Sequence, residues 1–228
     1  MKIGIIFAME EELVELKKYL KLENEYTIFN LKFYEGTIND VSCILVEAGI
    51  GKVNAARTTQ ILIDNMKVDY IFNVGVAGGV DSSLKVGDIV IGTRLVQHDF
   101  DITAFNHDKG YIPSIGVYID SDEYLLRLAN STIKDCKCGI IASGDIFCTE
   151  MKMSEKINKK FDALCVEMEG ASIAQVCYLC HVPFLVIRSI SDVLNGNNVI
   201  TYDEFLKSSS KKIAKAMNTI IKKMKLEC

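Results

Sequence analysis

Short runs of β-branched residues alternate with amphipathic segments along most of this chain, and that alternation limits the folds it can adopt more than any other feature. Lys2–Phe7 is typical of a buried strand, and Glu10–Leu20 is typical of a helix that follows one. Strands separated by crossover helices indicate an α/β fold. With no repeat or linker in the sequence, we predict a single domain over residues 1–228, with a central mixed β-sheet flanked by helices.

The same pattern predicts most of the other elements. Further strands are predicted at Tyr26–Ile38, Val41–Glu47, Tyr70–Val74, Asp88–Val96, Gly139–Ala142, Cys165–Met168 and Pro183–Ser189. Helices are predicted at Val53–Met66, at Asp122–Ile133, and from Glu169 and Thr201 onward. A turn is predicted at Asn39-Asp40, and a loop over Asp101–Gly116, where the regular pattern lapses.

The charge balance argues against large polyanionic partners. The chain contains 26 Lys and Arg against 30 Asp and Glu, a formal net charge of −4, so neither nucleic acid nor an anionic membrane is predicted as a partner. The short apolar run before Glu10 does not fit a signal peptide, and no apolar run approaches the ~18 residues that a membrane helix requires. The sequence therefore predicts a cytoplasmic protein.

Eight cysteines without an export signal indicate reduced thiols rather than disulfides. Cys136 and Cys138 form a C-x-C pair. Cys177 and Cys180 form a C-x-x-C pair inside an apolar helical stretch, where buried thiols are common core residues, and core packing is the favoured interpretation. The three histidines are scattered without metal-ligand spacing, so neither a metal nor a cofactor is predicted.

Polar residues and glycines at strand ends are the candidate ligand contacts, because α/β enzymes bind ligands beyond the carboxyl ends of their strands. The glycine turns at Gly49–Gly51 and Gly75–Gly79 suit an approach to phosphate, but tight turns explain them equally well, and neither has the spacing of a nucleotide-binding loop. No G-x-S-x-G elbow supports a serine hydrolase. Five segments qualify: Met9–Glu12, Ala48–Gly51, Asn73–Gly79, Val166–Glu169 and Arg188–Asp192.

Four carboxylates in these segments carry the functional hypothesis. Glu167, Glu169 and Asp192 follow strands and are predicted to converge with Glu12 on one end of the sheet. Taken singly, each is more often a solvated charge or a helix-start carboxylate. Together they indicate acid/base chemistry, because desolvation and mutual repulsion raise at least one carboxyl pKa toward neutrality.

The segments taken in order resemble a known family. IGIIFAMEEEL, AGIGKVNAA, NVGVAGG, VGDIV, HDFDITAF, SGDIF, VEMEGASIA, RSISD and YDEFL all match, from Met1 to the final helix. The chain therefore resembles the 5′-methylthioadenosine/S-adenosylhomocysteine nucleosidases of the nucleoside phosphorylase superfamily. The resemblance implies a nucleoside phosphorylase-like fold and hydrolysis of the N-glycosidic bond of adenosyl thioethers.

The resemblance also implies roles for individual residues. Asp192 would protonate adenine N7, Glu12 would accept a proton from the attacking water, and Ser191 would orient the acid. Val76 stands where the family generally carries Ser or Thr. The implied substrate-binding residues are Met9, Ile50, Val76, Phe147, Cys148, Glu167, Met168, Glu169, Arg188 and Ser191, with Phe105 and Pro113 supplied by the neighbouring subunit of a homodimer.

Two alternatives stay open at this point. A phosphate-dependent nucleoside phosphorylase would share the fold, but the turn Lys52-Val53-Asn54 lacks the Pro-Ser expected of one, and the chain has few arginines for a phosphate fork. A nucleoside-binding protein with little turnover is the other alternative, suggested by Val76. Water is the favoured nucleophile, and the preference among methylthioadenosine, S-adenosylhomocysteine and 5′-deoxyadenosine is left open.

Overall fold

A ten-stranded mixed β-sheet forms the centre of the protein. The computed structural model describes residues 1–193 and 198–227, with side chains for 1–193 and 205–227. Within those ranges the strands are β1 (Lys2–Phe7), β2 (Lys21–Ile28), β3 (Leu31–Ile38), β4 (Val41–Glu47), β5 (Tyr70–Gly79), β6 (Ile89–Gln97), β7 (Ile119–Asp120), β8 (Lys137–Ser143), β9 (Ala163–Glu167) and β10 (Phe184–Val193).

Helices pack on both faces of the sheet. They are α1 (Glu10–Lys17), α2 (Lys52–Asp64), α3 (Glu123–Thr132), α4 (Met151–Phe161), α5 (Gly170–Cys180) and α6 (Asn198–Glu227). One apolar core joins α1, α3 and α6 to the sheet, and a second joins α2 and α5 to its other face. The predicted fold class, a mixed central sheet flanked by helices, is confirmed. No helix in the described ranges is both long and apolar enough to cross a bilayer.

Five strands of the sheet close into a ring. Their order is β5, β9, β8, β6 and β10, and β10 pairs back onto β5 in parallel. β1 pairs in parallel with β5 on one side and with β4 on the other. Beyond β4 the sheet is antiparallel, because β3 pairs antiparallel with β4 and β2 pairs antiparallel with β3. The carboxyl ends of β1, β4, β5 and β10 therefore meet at one edge. β9 arrives there from the opposite direction, because its Val166 pairs with Gly78.

Several element predictions are exact, and others need correction. Lys2–Phe7 and Val41–Glu47 form the predicted strands, and the turn at Asn39-Asp40 has φ values of 51° and 62°. The single strand predicted at Tyr26–Ile38 is wrong: Phe29 and Asn30, with φ values of 49° and 63°, form a tight turn between β2 and β3. Helix α4 and the short β7 were not predicted.

Other boundaries shift for identifiable reasons. Helix α1 ends at Lys17 rather than Leu20, because β2 begins at Lys21. The last helix begins at Asn198, ahead of the predicted Thr201. Residues 101–116 contain only the 3₁₀ turn Thr103–Phe105 as regular helix, in agreement with the predicted loop.

Candidate active site

A cleft open to solvent on one side, with about 620 Å³ of empty space when the solvent at its mouth is included, lies at the edge where the strand ends meet. Acidic and apolar groups share its walls. The lining residues are Ala8, Met9, Glu12, Ile50, Val76, Ala77, Gly78, Ile146, Phe147, Cys148, Val166, Glu167, Met168, Glu169, Ser191 and Asp192.

Glu12 is held at the start of α1 by the backbone around it. As the third residue of the helix, it turns back to accept N–H bonds from Ala8 at 3.1 Å and from Met9 at 3.2 Å. Its other oxygen accepts the N–H of Val76 at 2.8 Å. Burial raises the pKa of Glu12, and Arg188 together with these N–H groups offsets part of that rise. Glu12 is therefore a fixed carboxylate with increased basicity.

Asp192 occupies the end of β10 beside a break in strand register. Ile190 pairs with Ala77 and Asp192 with Gly78, so Ser191 is an extra residue in β10 at this point. The hydroxyl of Ser191 donates to Asp192 Oδ1 at 2.8 Å. Burial raises the pKa of Asp192, and the Ser191 hydrogen bond offsets part of that rise. Asp192 is thus a buried acid with a raised pKa, and Ser191 supplies the hydroxyl that Val76 does not.

The third acidic group, Glu169, lies beside a buried ion-pair network. Arg188 is fully buried and donates to Glu167 and to Asn73, and its guanidinium lies 4.0 Å from Glu169 Oε2. Glu169 accepts the N–H of Gly51 at 2.9 Å. Burial and the neighbouring Glu167 raise the pKa of Glu169 to about 7. This carboxyl therefore exists in both protonation states near neutral pH.

Glu167 accepts hydrogen bonds from several groups inside the protein. It accepts the hydroxyl of Ser143, the N–H of Gly170 at 2.7 Å and the N–H of Glu169 at 3.2 Å, in addition to its pair with Arg188. A carboxylate with this many donors is fixed in place next to Arg188. Glu167 therefore holds Arg188 and the turn into α5 at the wall of the cleft.

Apolar side chains cover the rest of the cleft. Ile146 and Phe147 follow β8 and are 48% and 47% exposed, so their side chains present flat apolar surface at its mouth. Burial, with the Asp192 charge nearby, raises the pKa of Cys148 to about 11, so this thiol is neutral at physiological pH. An aromatic wall beside acidic groups suits a flat polar ring joined to a sugar.

The structure brings most of the predicted site residues together. Every predicted residue lines the cleft except three. Arg188 lies behind the wall, where it supports Glu167, and Phe105 and Pro113 are exposed away from the cleft. Sequence reasoning missed Ser143 and the acceptor role of Asn73, although both stand at strand positions next to a glycine turn.

The comparisons with known proteins agree with this fold. The sequence profile of the phosphorylase superfamily matches residues 2–222. A 5′-methylthioadenosine/S-adenosylhomocysteine nucleosidase of Staphylococcus carnosus is 41% identical over 227 residues, 97% of this chain and 100% of the relative.

Solved structures give the same result. An S-adenosylhomocysteine nucleosidase of Streptococcus pyogenes, in complex with 5-methylthiotubericidin, superposes with a TM-score of 0.95 at 37% identity, covering 98% of this chain and 97% of that one. A structure named futalosine hydrolase of Helicobacter pylori superposes with a TM-score of 0.94 at 35% identity, covering 98% of each chain. The chain belongs to the phosphorylase superfamily. Within it, the chain is a member of the 5′-methylthioadenosine/S-adenosylhomocysteine nucleosidases, which are N-glycosyl hydrolases.

Proposed function

We propose that this protein hydrolyses the N-glycosidic bond of 5′-methylthioadenosine and S-adenosylhomocysteine, releasing adenine. The observation that carries the proposal is the charge of the cleft. Among the lining residues that the structure describes are four carboxyl groups and no Lys, Arg or His. Such a site stabilises the positive charge that develops on a ribose as its glycosidic bond breaks.

The same observation favours water over phosphate as the nucleophile. A phosphorylase binds a free phosphate anion, which requires basic side chains or N–H groups free to donate. Here the guanidinium of Arg188 is already paired with Glu167, and the N–H groups of Val76 and Gly51 donate to Glu12 and Glu169. A phosphate anion would meet four acidic groups, with no cationic side chain among the described residues that line the cleft to offset them.

In the proposed reaction, two carboxyl groups move the protons. Asp192, whose raised pKa favours the protonated form, gives its proton to adenine N7 as the bond between the base and C1′ breaks, so the base leaves neutral. Water adds to C1′, and Glu12 accepts the proton that this water loses. Glu169 accepts hydrogen bonds from the ribose hydroxyls. Each proton-transfer group of this kind typically contributes about 10²–10⁴ in rate.

The remaining lining residues bind the substrate in this proposal. Phe147 stacks on the adenine, and the main chain at Cys148 contacts its edge. Met9 and Met168 pack against the sugar, and Ile50 flanks the thioether. Arg188, held in the buried network with Glu167, sets the charge balance behind the water position rather than contacting phosphate.

We also propose a homodimer in which Phe105 and Pro113 complete the neighbouring subunit's site. Phe105 is 75% exposed, and the apolar side chains of Ile50 and Val53 are exposed at the start of α2 next to the cleft. An exposed apolar surface around an open site fits a subunit contact. The cytoplasmic location, which the sequence suggests through its unpaired cysteines, stays a prediction.

Adenine release from methylthioadenosine in phosphate-free buffer tests the function. We expect release without added phosphate, detected by chromatography, with S-adenosylhomocysteine, 5′-deoxyadenosine and futalosine as parallel substrates. A strict requirement for phosphate would favour the phosphorylase. Tight binding of the nucleoside without adenine release would favour the binding protein.

Asp192→Asn tests the assignment of the acid. An amide cannot donate the required proton, so we expect kcat to fall by roughly 10²–10⁴. Substrate binding, measured by calorimetry, and the melting temperature should change little, since the amide keeps the shape of the side chain. Near-native turnover in this variant would exclude Asp192 as the acid.

A further inference from the structure

We propose that Lys52, Asp99 and Asp145 form a clasp that holds two walls of the cleft together and thereby sets the affinity for the adenosyl substrate. The three are positioning residues outside the lining of the cleft. The proposal rests on the proposed function and adds a determinant of substrate binding to it.

The clasp is a closed ring of hydrogen bonds between three separate segments. Lys52 Nζ donates to Asp99 Oδ1 at 2.7 Å, and the other oxygen of Asp99 accepts the N–H of Asp145 at 2.9 Å. Asp145 Oδ1 in turn accepts the N–H of Lys52 at 2.8 Å. Lys52 Nζ also donates to Gln97 Oε1 at 3.1 Å. The ring thus joins the first residue of α2, the chain after β6 and the loop after β8.

Two of the three segments in the ring lead directly to the cleft. Lys52 follows Ile50 and Gly51, and the N–H of Gly51 donates to Glu169 at 2.9 Å. Asp145 precedes the three lining residues 146–148, which form the opposite wall. The clasp therefore connects the wall proposed to flank the thioether with the wall proposed to stack on adenine.

Apolar packing alone does not fix the adenine wall. Ile146 and Phe147 are each about half exposed, whereas the side chains of Lys52 and Asp99 are only 17% and 18% exposed. An ion pair shielded to this degree is screened less by water and salt than a surface pair. The exposed loop consequently depends on its polar anchor at Asp145.

Local backbone geometry supports the same arrangement. Gly51 has a φ of 100°, and a Cβ added there would lie 3.2 Å from Asp145 Oδ1. Glycine therefore permits the close approach of the two walls. Burial works to raise the pKa of Asp99, but the hydrogen bonds from Lys52 and from the N–H of Asp145 outweigh it and keep that pKa low, so Asp99 stays ionised at neutral pH.

The clasp should act on binding rather than on chemistry. Glu12 and Asp192 are held by α1, β5 and β10, none of which supplies a member of the ring. Releasing the adenine wall therefore leaves the proton-transfer groups in place. Loss of a hydrogen bond between charged groups corresponds to roughly tenfold or more in an equilibrium constant.

The test compares Lys52→Met, Asp99→Asn and the double variant with wild type. We expect each single variant to raise KM for methylthioadenosine by about tenfold, with kcat within about twofold. The double variant should be little worse than either single one, because both substitutions break the same ring. Lys52→Arg should recover much of the affinity. Lys32→Met is the matched control, since it removes an exposed ion pair of 2.6 Å with Glu25 in the remote β2–β3 hairpin.

Three results would overturn the clasp: an unchanged KM in both single variants, a loss confined to kcat, or fully additive effects in the double variant. If Lys52→Met does not fold, Asp99→Asn tests the same ring. If wild type releases no adenine, the proposed hydrolysis fails. The clasp is then judged by calorimetry with adenine, where equal dissociation constants for wild type and variants would reject it.

Discussion

At the scale of single residues, the site depends on what surrounds each carboxyl group. Glu12 accepts three N–H groups, whereas Asp192 accepts a hydroxyl from Ser191. Both groups have raised pKa values because burial disfavours the charged form, but the three N–H donors around Glu12 suit a carboxylate. Two similar side chains are thereby prepared for opposite roles, as base and as acid.

Ser191→Ala tests whether Ser191 controls the acid. Its hydrogen bond favours the ionised form of Asp192, so removing the hydroxyl raises the pKa of Asp192 further. Activity that requires protonated Asp192 should therefore persist to higher pH, although kcat at its maximum should fall by roughly tenfold as the acid loses its orientation. The measurement is the pH profile of kcat.

Ser189→Ala is the control for that experiment. Ser189 is buried on the same strand, and its hydroxyl has no hydrogen-bond partner in the described part of the chain. Its pH profile should match that of wild type. An alkaline limb that stays in place in Ser191→Ala would show that the hydroxyl does not act on Asp192.

The four acids could be predicted from the sequence because each lies at or shortly after the end of a strand, and these ends meet at one edge. The sequence does not reveal which acid is exposed to substrate. Glu167 and Glu169 are two residues apart. Glu167 accepts hydrogen bonds from Arg188 and Ser143, whereas Glu169 accepts one from Gly51 and can accept more from a ligand. That division depends on contacts between residues far apart in the chain.

At the scale of elements, β5 and β10 form the floor of the site, and glycines in β5 leave room there for the neighbouring side chains. Gly75 pairs with Arg188, and Gly78 pairs with Asp192 across the parallel strands. A Cβ at Gly78 would lie 3.2 Å from Asp192 Oδ2. These glycines therefore allow the acidic side chains to approach the strand closely. They do not form the phosphate-binding turn that was one interpretation of the glycine run.

Gly75→Ala should disable the base without changing the fold. The added Cβ would lie 2.5 Å from Glu12 Oε1, so Glu12 has to move. A displacement of about 1 Å at a catalytic group costs about 10²-fold, and we expect kcat to fall by that factor with a smaller change in KM. Steady-state kinetics at saturating substrate provide the measurement.

Gly4→Ala controls for the cost of a new methyl group in the same sheet. Its Cβ would meet Leu62 Cδ1 at 3.1 Å, far from the acids. It should lower the melting temperature while kcat stays near wild type. Full activity in Gly75→Ala would mean that Glu12 has room to adjust and that its position is not critical.

Element prediction succeeded where local signals are strong. β1 and β4 are continuous apolar runs with turn residues beside them, and their predicted bounds are exact. Helix α4 was missed although its buried Ile157 and Phe161 are four residues apart, because lysines dominate the rest of its sequence. The two-residue β7 has no local signal, since it exists through pairing with β6.

At the scale of the whole molecule, the ring of five strands creates the cleft. Closure of β10 onto β5 joins residues more than one hundred positions apart, such as Arg188 and Gly75. No periodicity in the sequence encodes that pairing, so composition and pattern predict the layers but not the ring. The family resemblance implied a nucleoside phosphorylase-like fold, and the strand order itself comes from the structure.

Phe105→Asp tests the proposed homodimer. A charge on this 75% exposed side chain should weaken the subunit contact, shift the protein toward monomer in sedimentation experiments, and raise KM because the neighbouring site loses its apolar cover. Phe29→Asp is the control, since Phe29 is 70% exposed at the β2–β3 turn. A dimer that persists in Phe105→Asp with unchanged KM would contradict the proposed contact.

Glu169 links the site to the stability of the whole fold. Its pKa is about 7 in the folded protein against 4.5 ordinarily, so between these values the folded state binds a proton that the unfolded state has lost. The free energy of unfolding therefore falls as pH rises through this window and stays reduced above it. At 1.4 kcal/mol per pKa unit, the reduction is at most about 3 kcal/mol.

Glu169→Gln should remove this penalty, because the amide does not ionise and still accepts the Gly51 N–H. We expect the variant to be more stable than wild type at about pH 8, by up to about 3 kcal/mol, and equal to it near pH 4, where both side chains are uncharged. Urea unfolding at several pH values measures the difference, with the exposed Glu23→Gln as control. A difference that does not vary with pH would show that the Glu169 carboxylate carries no such cost, and that Arg188 already compensates its charge in full.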